Sequence, residues 1–262
     1  MATVATLELT DELARRLCAA WSFAPTEELA AGHCSRVYAD ATLVLKVPWR
    51  GEETTSGYVA ALRLAGRLGP KVLRGDAETG AVLMERLWPG LPLGESSLSD
   101  EERIAVTVGF LRELGKEDGA GLPSLAGYYS QSCAQLDELL ATTNRACLLH
   151  GDLHPFNILS FGEGWLPIDP KGVVGDPCFE PIAFLRNCID VGDAKAQLAR
   201  RIDGFASMLA LDPERIAAWS VIDTIVYPDD GEPSVERRAL MEALRGLLED
   251  RGWLRWWPTG AQ

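Results

Sequence analysis

Residues 148–177 read LLHGDLHPFNILSFGEGWLPIDPKGVVGDP. Two short apolar runs, 158–160 and 165–168, flank Gly162-Glu163-Gly164, which predicts an antiparallel hairpin with a tight turn. Polar residues surround it: Asp152 upstream, Asn157 at the start of the first strand, and Asp169 at the end of the second. Such a hairpin would carry three oxygen donors to one mouth. Carboxylates with an amide carbonyl are ligands that Mg²⁺ accepts, and Mg²⁺ held by so few protein groups leaves substrate phosphates to complete its shell. A single Asp in a turn is ordinarily a cap or an Asx-turn, but three polar residues at these spacings point to chemistry.

Upstream of this stretch the pattern is mostly β. Residues 10–21 predict an amphipathic helix, with Thr10 as N-cap and Leu13, Leu17 and Trp21 on one face. Residues 29–49 then read as strand, turn at Ala39-Asp40-Ala41, and strand. In the second of these strands Lys46 shares a face with Val44, while Leu43, Leu45 and Val47 share the other. A short helix over 58–68 stops at Gly69-Pro70, and strands follow over 71–73 and 81–87. Past the turn-rich residues 88–97 the sequence reads as helical, over 99–114, 128–141, 179–189, 194–209, 212–226 and 234–249. Ser99 with Glu102 forms a capping box, and Asp212-Pro213 supplies an N-cap with proline at the first helical position. The expected class is α+β, β-rich over 1–87 and helical over 88–262.

Composition narrows the partners. The 262 residues carry a formal net charge of −13, which argues against nucleic acid and against an anionic membrane as partners, since both want clustered Lys and Arg. The acidity is uneven: up to residue 87 there are 10 Lys and Arg against 11 Asp and Glu, and beyond it 15 against 27. The six cysteines are scattered with no metal-ligand spacing, which predicts reduced, mostly buried thiols. The N-terminal residues lack a basic segment before an apolar one, and apolar runs are broken well before 18 residues, so a cytoplasmic protein is expected.

His150-Gly151-Asp152, four further residues and then Asn157 repeats the kinase catalytic-loop pattern with Gly in place of Arg, and Asp169 follows twelve residues later. Together with IDPKGVVGDPCFEPIAFLRN (168–187) and MERLWPGLPL (84–93), these residues give the sequence its family likeness. It resembles the aminoglycoside phosphotransferases, and most of all their aminoglycoside/hydroxyurea branch, over essentially its whole length. The resemblance implies a protein-kinase-like two-lobe fold, with a nucleotide lobe over 1–87 and a catalytic, substrate-binding lobe over 88–262. It implies ATP and Mg²⁺ as cofactors, O-phosphorylation of a small hydroxylated cationic acceptor, an aminoglycoside such as streptomycin, and no obligate protein partner.

On that resemblance Asp152 would take or orient the proton of the attacking hydroxyl, and Asn157 and Asp169 would hold Mg²⁺. Lys46 would reach the α- and β-phosphates, and Ser35, after Gly32 and His33, would offer its N–H and hydroxyl to a phosphate. Adenine would be read by the backbone carbonyl of Glu85 and the backbone N–H of Leu87. Asp176 is expected to stabilise the catalytic segment, and Lys171 to meet phosphate or a surface acid. Glu180, Asp229, Asp230 and Glu232 are the acids expected to meet a cationic substrate.

One departure stands out. Where relatives carry a Glu on the helix after the lysine strand, this sequence has Tyr58, with Glu52 and Glu53 more than a turn upstream. Either the helix begins earlier or Lys46 lacks its usual partner. Kinase action on hydroxyurea or another small metabolite, and a catalytically impaired kinase-like binding protein, are the alternatives. A metallohydrolase built on His150, His154 and His33 fails on its ligand inventory. The Trp253-to-Trp257 tail reads as packing onto the helical region rather than as a sugar platform.

Overall fold

The computed structural model describes residues 4–29, 34–49, 54–129, 132–226 and 233–258. Its helices are α1 (Val4–Trp21), α2 (Ser56–Leu64), α3 (Asp100–Leu114), α4 (Ala134–Ala141), α5 (Ile182–Leu185), α6 (Ala194–Leu209), α7 (Pro213–Val221) and α8 (Val235–Arg251). Its strands are β1 (Glu27–Leu29), β2 (Ser35–Ala39), β3 (Leu43–Pro48), β4 (Val72–Asp76), β5 (Ala81–Glu85), β6 (Pro89–Pro92), β7 (Cys147–Leu149), β8 (Ile158–Phe161), β9 (Gly164–Pro167) and β10 (Val173–Gly175). The protein divides into two units, Met1–Pro92 with Ile158–Gly172, and Leu93–Asn157 with Val173–Gln262. The sequence suggests one break, after residue 87. The backbone instead returns to the first unit, because β6 pairs antiparallel with β8 and β8 with β9.

In the first unit an antiparallel sheet runs in the order β1-β2-β3-β5-β4. Strand alternation gives this sheet two faces. Leu45, Val47, Ala81 and Leu83 pack with Ala14 and Leu17 of α1 and with Phe23, while Lys46, Val82 and Met84 line the opposite face. Burial of each leucine-sized side chain there stabilises the unit by about 1.5–3 kcal/mol. The β2–β3 turn is locked by Asp40, whose carboxylate accepts from the N–H groups of Thr42 and Leu43 at 2.7 Å each. These bonds hold its pKa below the ordinary carboxylate value. Thr10 is not the N-cap expected of it. The helix starts at Val4, and the Thr10 hydroxyl bonds back to the Thr6 carbonyl at 2.8 Å inside it. Helix α2 is shorter than 58–68, since Gly66 turns the backbone at φ +72°.

The second unit is mainly helical. Ser99 and Glu102 form the predicted capping box on α3, Asp212 caps α7, and Ser234 caps α8. Helix α6 packs against α3, α7 and α8 through Leu198, Ile202 and Phe205, all fully buried. The helix expected over 128–141 is confined to α4, because Cys133 is extended and accepts from the Leu136 N–H as its N-cap. The helix expected over 179–189 shrinks to α5. Here the buried Arg201 takes the carbonyls of Phe184, Leu185, Asn187 and Cys188, pinning a turn that closes with Cys188 at φ +54°. The guanidinium is neutralised by Asp100 at 2.7 Å and lies over the Phe184 ring. The C-terminal turn buries Trp256, whose indole N–H donates to Glu214 at 2.9 Å, so the tail packs as expected. All six cysteines are free thiols, and burial pushes Cys147 and Cys178 up to about 11 and about 12.

Candidate active site

Lys46 and Asp169 meet within the first unit. Lys46 is 9% exposed, and its Nζ stands 3.1 Å from Asp169 Oδ1, at a cleft walled by Tyr58, Val72, Val82 and Met84. Asp169 has φ +60°, a left-handed conformation that costs a residue with a Cβ about 1–2 kcal/mol, least for Asp and Asn. The segment after it over-determines that shape. The Ser56 hydroxyl donates to the Lys171 carbonyl at 2.7 Å, and Gly172, at φ +68°, lies so close to α2 that a Cβ would stand 2.6 Å from the Ser56 carbonyl oxygen. Tyr58 itself covers Gly75, where a Cβ would meet the phenol oxygen at 2.8 Å. Helix α2 begins at Ser56, and Glu52 and Glu53 lie outside the described residues, so Asp169 is the acid observed on Lys46.

The other first-unit expectations fare differently. Ser35 opens β2, is buried, and is paired in register with Pro48, while Gly32 and His33 lie outside the described residues. Glu85 closes β5 one residue beyond Met84 of the cleft wall, and Leu87 is buried. Glu85 spends its N–H on the Lys71 carbonyl at 2.9 Å, and its carboxylate accepts from the Lys71 N–H at 2.7 Å.

Asp152 and Asn157 lie in the second unit, on the loop that leaves β7. Strand β10 pairs antiparallel with β7 and leads into Asp176, a buried acid that accepts from the Cys178 N–H, the Trp219 indole N–H and the Arg215 guanidinium. That knot fixes the root of the loop, as expected of Asp176. Within the loop Asn157 Nδ2 donates to the Asp152 carbonyl at 2.9 Å, which leaves the Asn157 amide oxygen facing away from that bond. The Asp152 side chain is 20% exposed, so its backbone is held while its carboxylate stays reachable. His150 is buried beneath it, and His154 accepts the Phe156 N–H at 3.2 Å through Nδ1.

Glu180 is not on the surface. The sequence assigns it to the substrate surface, but it is 5% exposed and its Oε1 accepts the Gly151 N–H at 3.2 Å under the loop. Burial pushes its pKa up to about 8, against the N–H groups of Gly151 and His150, which pull it down. It braces the Asp152 loop from within the second unit. Asp229, Asp230 and Glu232 lie outside the described residues.

Two residues that the sequence did not single out complete the second unit's site. Arg186 Nη2 stands 3.2 Å from Asp152 Oδ1, and its Nη1 stands 2.6 Å from Asp223 Oδ2. Burial opposes the charged guanidinium, but Asp223 first and Asp152 next outweigh it and raise the Arg186 pKa. Asp223 sits on a π-helical turn, Ile222–Val226, that continues α7, a distortion often found at functional sites. The only sequence signal was the FLRN at the end of the family-like string.

Chemically, the first unit offers a lysine and a carboxylate at a cleft, and the second a reachable carboxylate on a fixed loop beside an arginine. A sequence model described as "Aminoglycoside/hydroxyurea antibiotic resistance kinase" matches residues 110–227. The hydroxyurea phosphotransferase of Kitasatospora aureofaciens is 33% identical over 240 residues, covering 79% of this protein and 68% of that one. The streptomycin 6-kinase of Streptomyces griseus is 30% identical over 212 residues, covering 70% and 69%. Among solved structures, the streptomycin–ATP–APH(2'')-IIa ternary complex superposes with a TM-score of 0.53 at 17% identity, covering 95% of this protein and 97% of that one. The fold is therefore the protein-kinase-like α+β fold.

Proposed function

Because the chain belongs to the aminoglycoside/hydroxyurea antibiotic resistance kinase family, a family of phosphotransferases with an alcohol group as acceptor, we propose that it moves the γ-phosphoryl group of ATP to a hydroxyl of a streptomycin-type aminoglycoside and so inactivates it. The observation that carries this reading is Asp152, a reachable carboxylate whose backbone is held by Asn157 and whose neighbour Gly151 is held by Glu180. Phosphoryl transfer through a loose transition state asks chiefly for positioning and charge neutralisation, and a fixed carboxylate supplies the first. In this reading Asp152 orients the acceptor hydroxyl and receives its proton, while Lys46 neutralises the α- and β-phosphates.

Asp169 and Asn157 are the oxygen donors proposed for Mg²⁺. Hard oxygen ligands suit that ion, and the Asn157 amide fits because its NH₂ is already spent on the Asp152 carbonyl. The bound ion would neutralise developing negative charge on the phosphates. Ser35, with the backbone carbonyl of Glu85 and the backbone N–H of Leu87, supplies the further contacts proposed for the nucleotide. The proposed setting is the cytoplasm, where ATP is available; among the described residues no helix is long and apolar enough to cross a membrane.

Hydroxyurea is the second acceptor to consider, favoured by one observation: the carboxylate at the proposed reaction centre is already paired with Arg186. The test is ADP release coupled to NADH oxidation, with streptomycin and with hydroxyurea, alongside Asp152→Ala. The reading predicts acceptor-dependent release that the variant abolishes. Equal release from wild type and variant would contradict it.

A further inference from the structure

We propose that Arg186 tunes the choice of acceptor: it is a built-in cation beside the carboxylate proposed as base, so an acceptor whose reacting hydroxyl is flanked by a neutral oxygen gains from it, while a cationic one, streptomycin included, is admitted against its charge. This rests on the phosphotransferase reading and deepens it.

Arg186 is firmly placed. Its backbone belongs to the turn after α5, and Arg201 holds the carbonyls of Phe184, Leu185, Asn187 and Cys188 around it. Asn187 adds a bond from its side-chain amide to the Ala183 carbonyl at 2.8 Å. On the other side, Asp223 stands on the π-helical turn, whose Thr224 carbonyl takes a bond from Arg237 at 2.9 Å. Both ends of the Arg186–Asp223 contact are therefore anchored independently. At 2.6 Å, with Asp223 14% exposed, it is the tighter of the two contacts, and the Asp152 contact at 3.2 Å is the looser.

Charge follows from this geometry. Two carboxylates at one mouth would form a strong cation site, but the guanidinium already lies between them and reduces their combined charge from −2 to −1. A substrate guanidinium or ammonium arriving at Asp152 would have to share that carboxylate with Arg186 and would meet a like charge a few ångströms away. An oxygen meets the reverse. A guanidinium carries five N–H donors in a rigid fork, and the contacts with Asp152 and Asp223 do not use all of them. With its side chain 38% exposed, Arg186 has donors left for a carbonyl or hydroxyl oxygen adjacent to the reacting group. The acid-rich composition beyond residue 87 therefore does not give this mouth a free acidic pair.

The test compares kcat/KM for hydroxyurea, which is neutral with a carbonyl beside its hydroxyl, and for streptomycin, which carries guanidinium groups, in wild type, Arg186→Gln and Arg186→Lys. The inference predicts that Arg186→Gln lowers the hydroxyurea-to-streptomycin ratio at least 10-fold. Arg186→Lys, which keeps the charge without the fork, should fall between. Circular dichroism melts show whether each variant is folded, and methylguanidinium added to Arg186→Gly supplies a second readout: recovery of hydroxyurea-dependent ADP release supports the inference. Equal losses with both acceptors in folded variants, with no recovery by methylguanidinium, would overturn it while leaving the phosphotransferase reading intact. Absence of acceptor-dependent release from wild type removes the reading and the inference together.

Discussion

Each unit of the molecule holds one carboxylate paired with a cation, and the two pairs are built differently. In the first unit Lys46 reaches Asp169 from the middle of a strand, 3.1 Å away, and the acid is held in a left-handed conformation by the close approach of Gly172 to α2. In the second, Arg186 reaches Asp152 from a turn, and the cation is anchored as well, by Asp223 and the Arg201 network. A lysine is a compact point charge on a flexible stem, suited to following phosphate oxygens. An arginine is a rigid fork suited to holding two oxygen groups in one geometry. Each pair therefore suits one side of the proposed reaction: a point charge for the nucleotide, a rigid fork for the acceptor.

Breaking the second pair should have the largest effect. Asp152→Asn keeps the shape of the loop and removes the base, so kcat should fall by about 10³-fold with a small change in KM for ATP, read by coupled ADP release. Breaking the first pair should act on the nucleotide instead. Lys46→Met should lower kcat/KM for ATP by about 10²-fold and leave acceptor KM near its wild-type value in the same assay.

Two further changes probe the contrast through stability. In Gly172→Ala a Cβ would stand 2.6 Å from the Ser56 carbonyl oxygen at φ +68°, so the variant should lose about 1–3 kcal/mol in urea melts. Weakened ATP binding should accompany that loss, because Asp169 loses its brace. An effect confined to a pH window is expected at Glu180, whose folded pKa of about 8 lies above the ordinary 4.5. The folded state keeps a proton that the unfolded state releases. This stabilising contribution is therefore complete below about pH 4.5 and is lost as pH rises to about 8. Glu180→Gln mimics the protonated form, and its Tm should decline with pH less steeply than that of wild type over that window.

Which parts of this were legible in the sequence follows from the range of the interactions. Asp152, Asn157 and Asp169 could be picked out because loop and hairpin fix their spacing locally, and the hairpin forms as β8 and β9. The cap at Ser99 was legible for the same reason. Arg186 was not, since it meets Asp152 across 34 residues and Asp223 across 37, and only the packing of α5 and α7 brings them together. Glu180 misled because its neighbours Phe179 and Pro181 do not reveal that the loop above supplies two N–H groups to a buried acid. The missing helix glutamate misled in another way. It left Lys46 without a legible partner, and the residue found there, Asp169, is one the sequence had assigned to metal.

That Asp152 directs phosphoryl transfer to an acceptor hydroxyl can be decided by mass spectrometry of streptomycin after incubation with the protein, ATP and Mg²⁺. A product heavier by one phosphoryl group is expected with wild type and none with Asp152→Asn. Unmodified streptomycin and hydroxyurea after incubation with wild type, or the same product from Asp152→Asn, would contradict it.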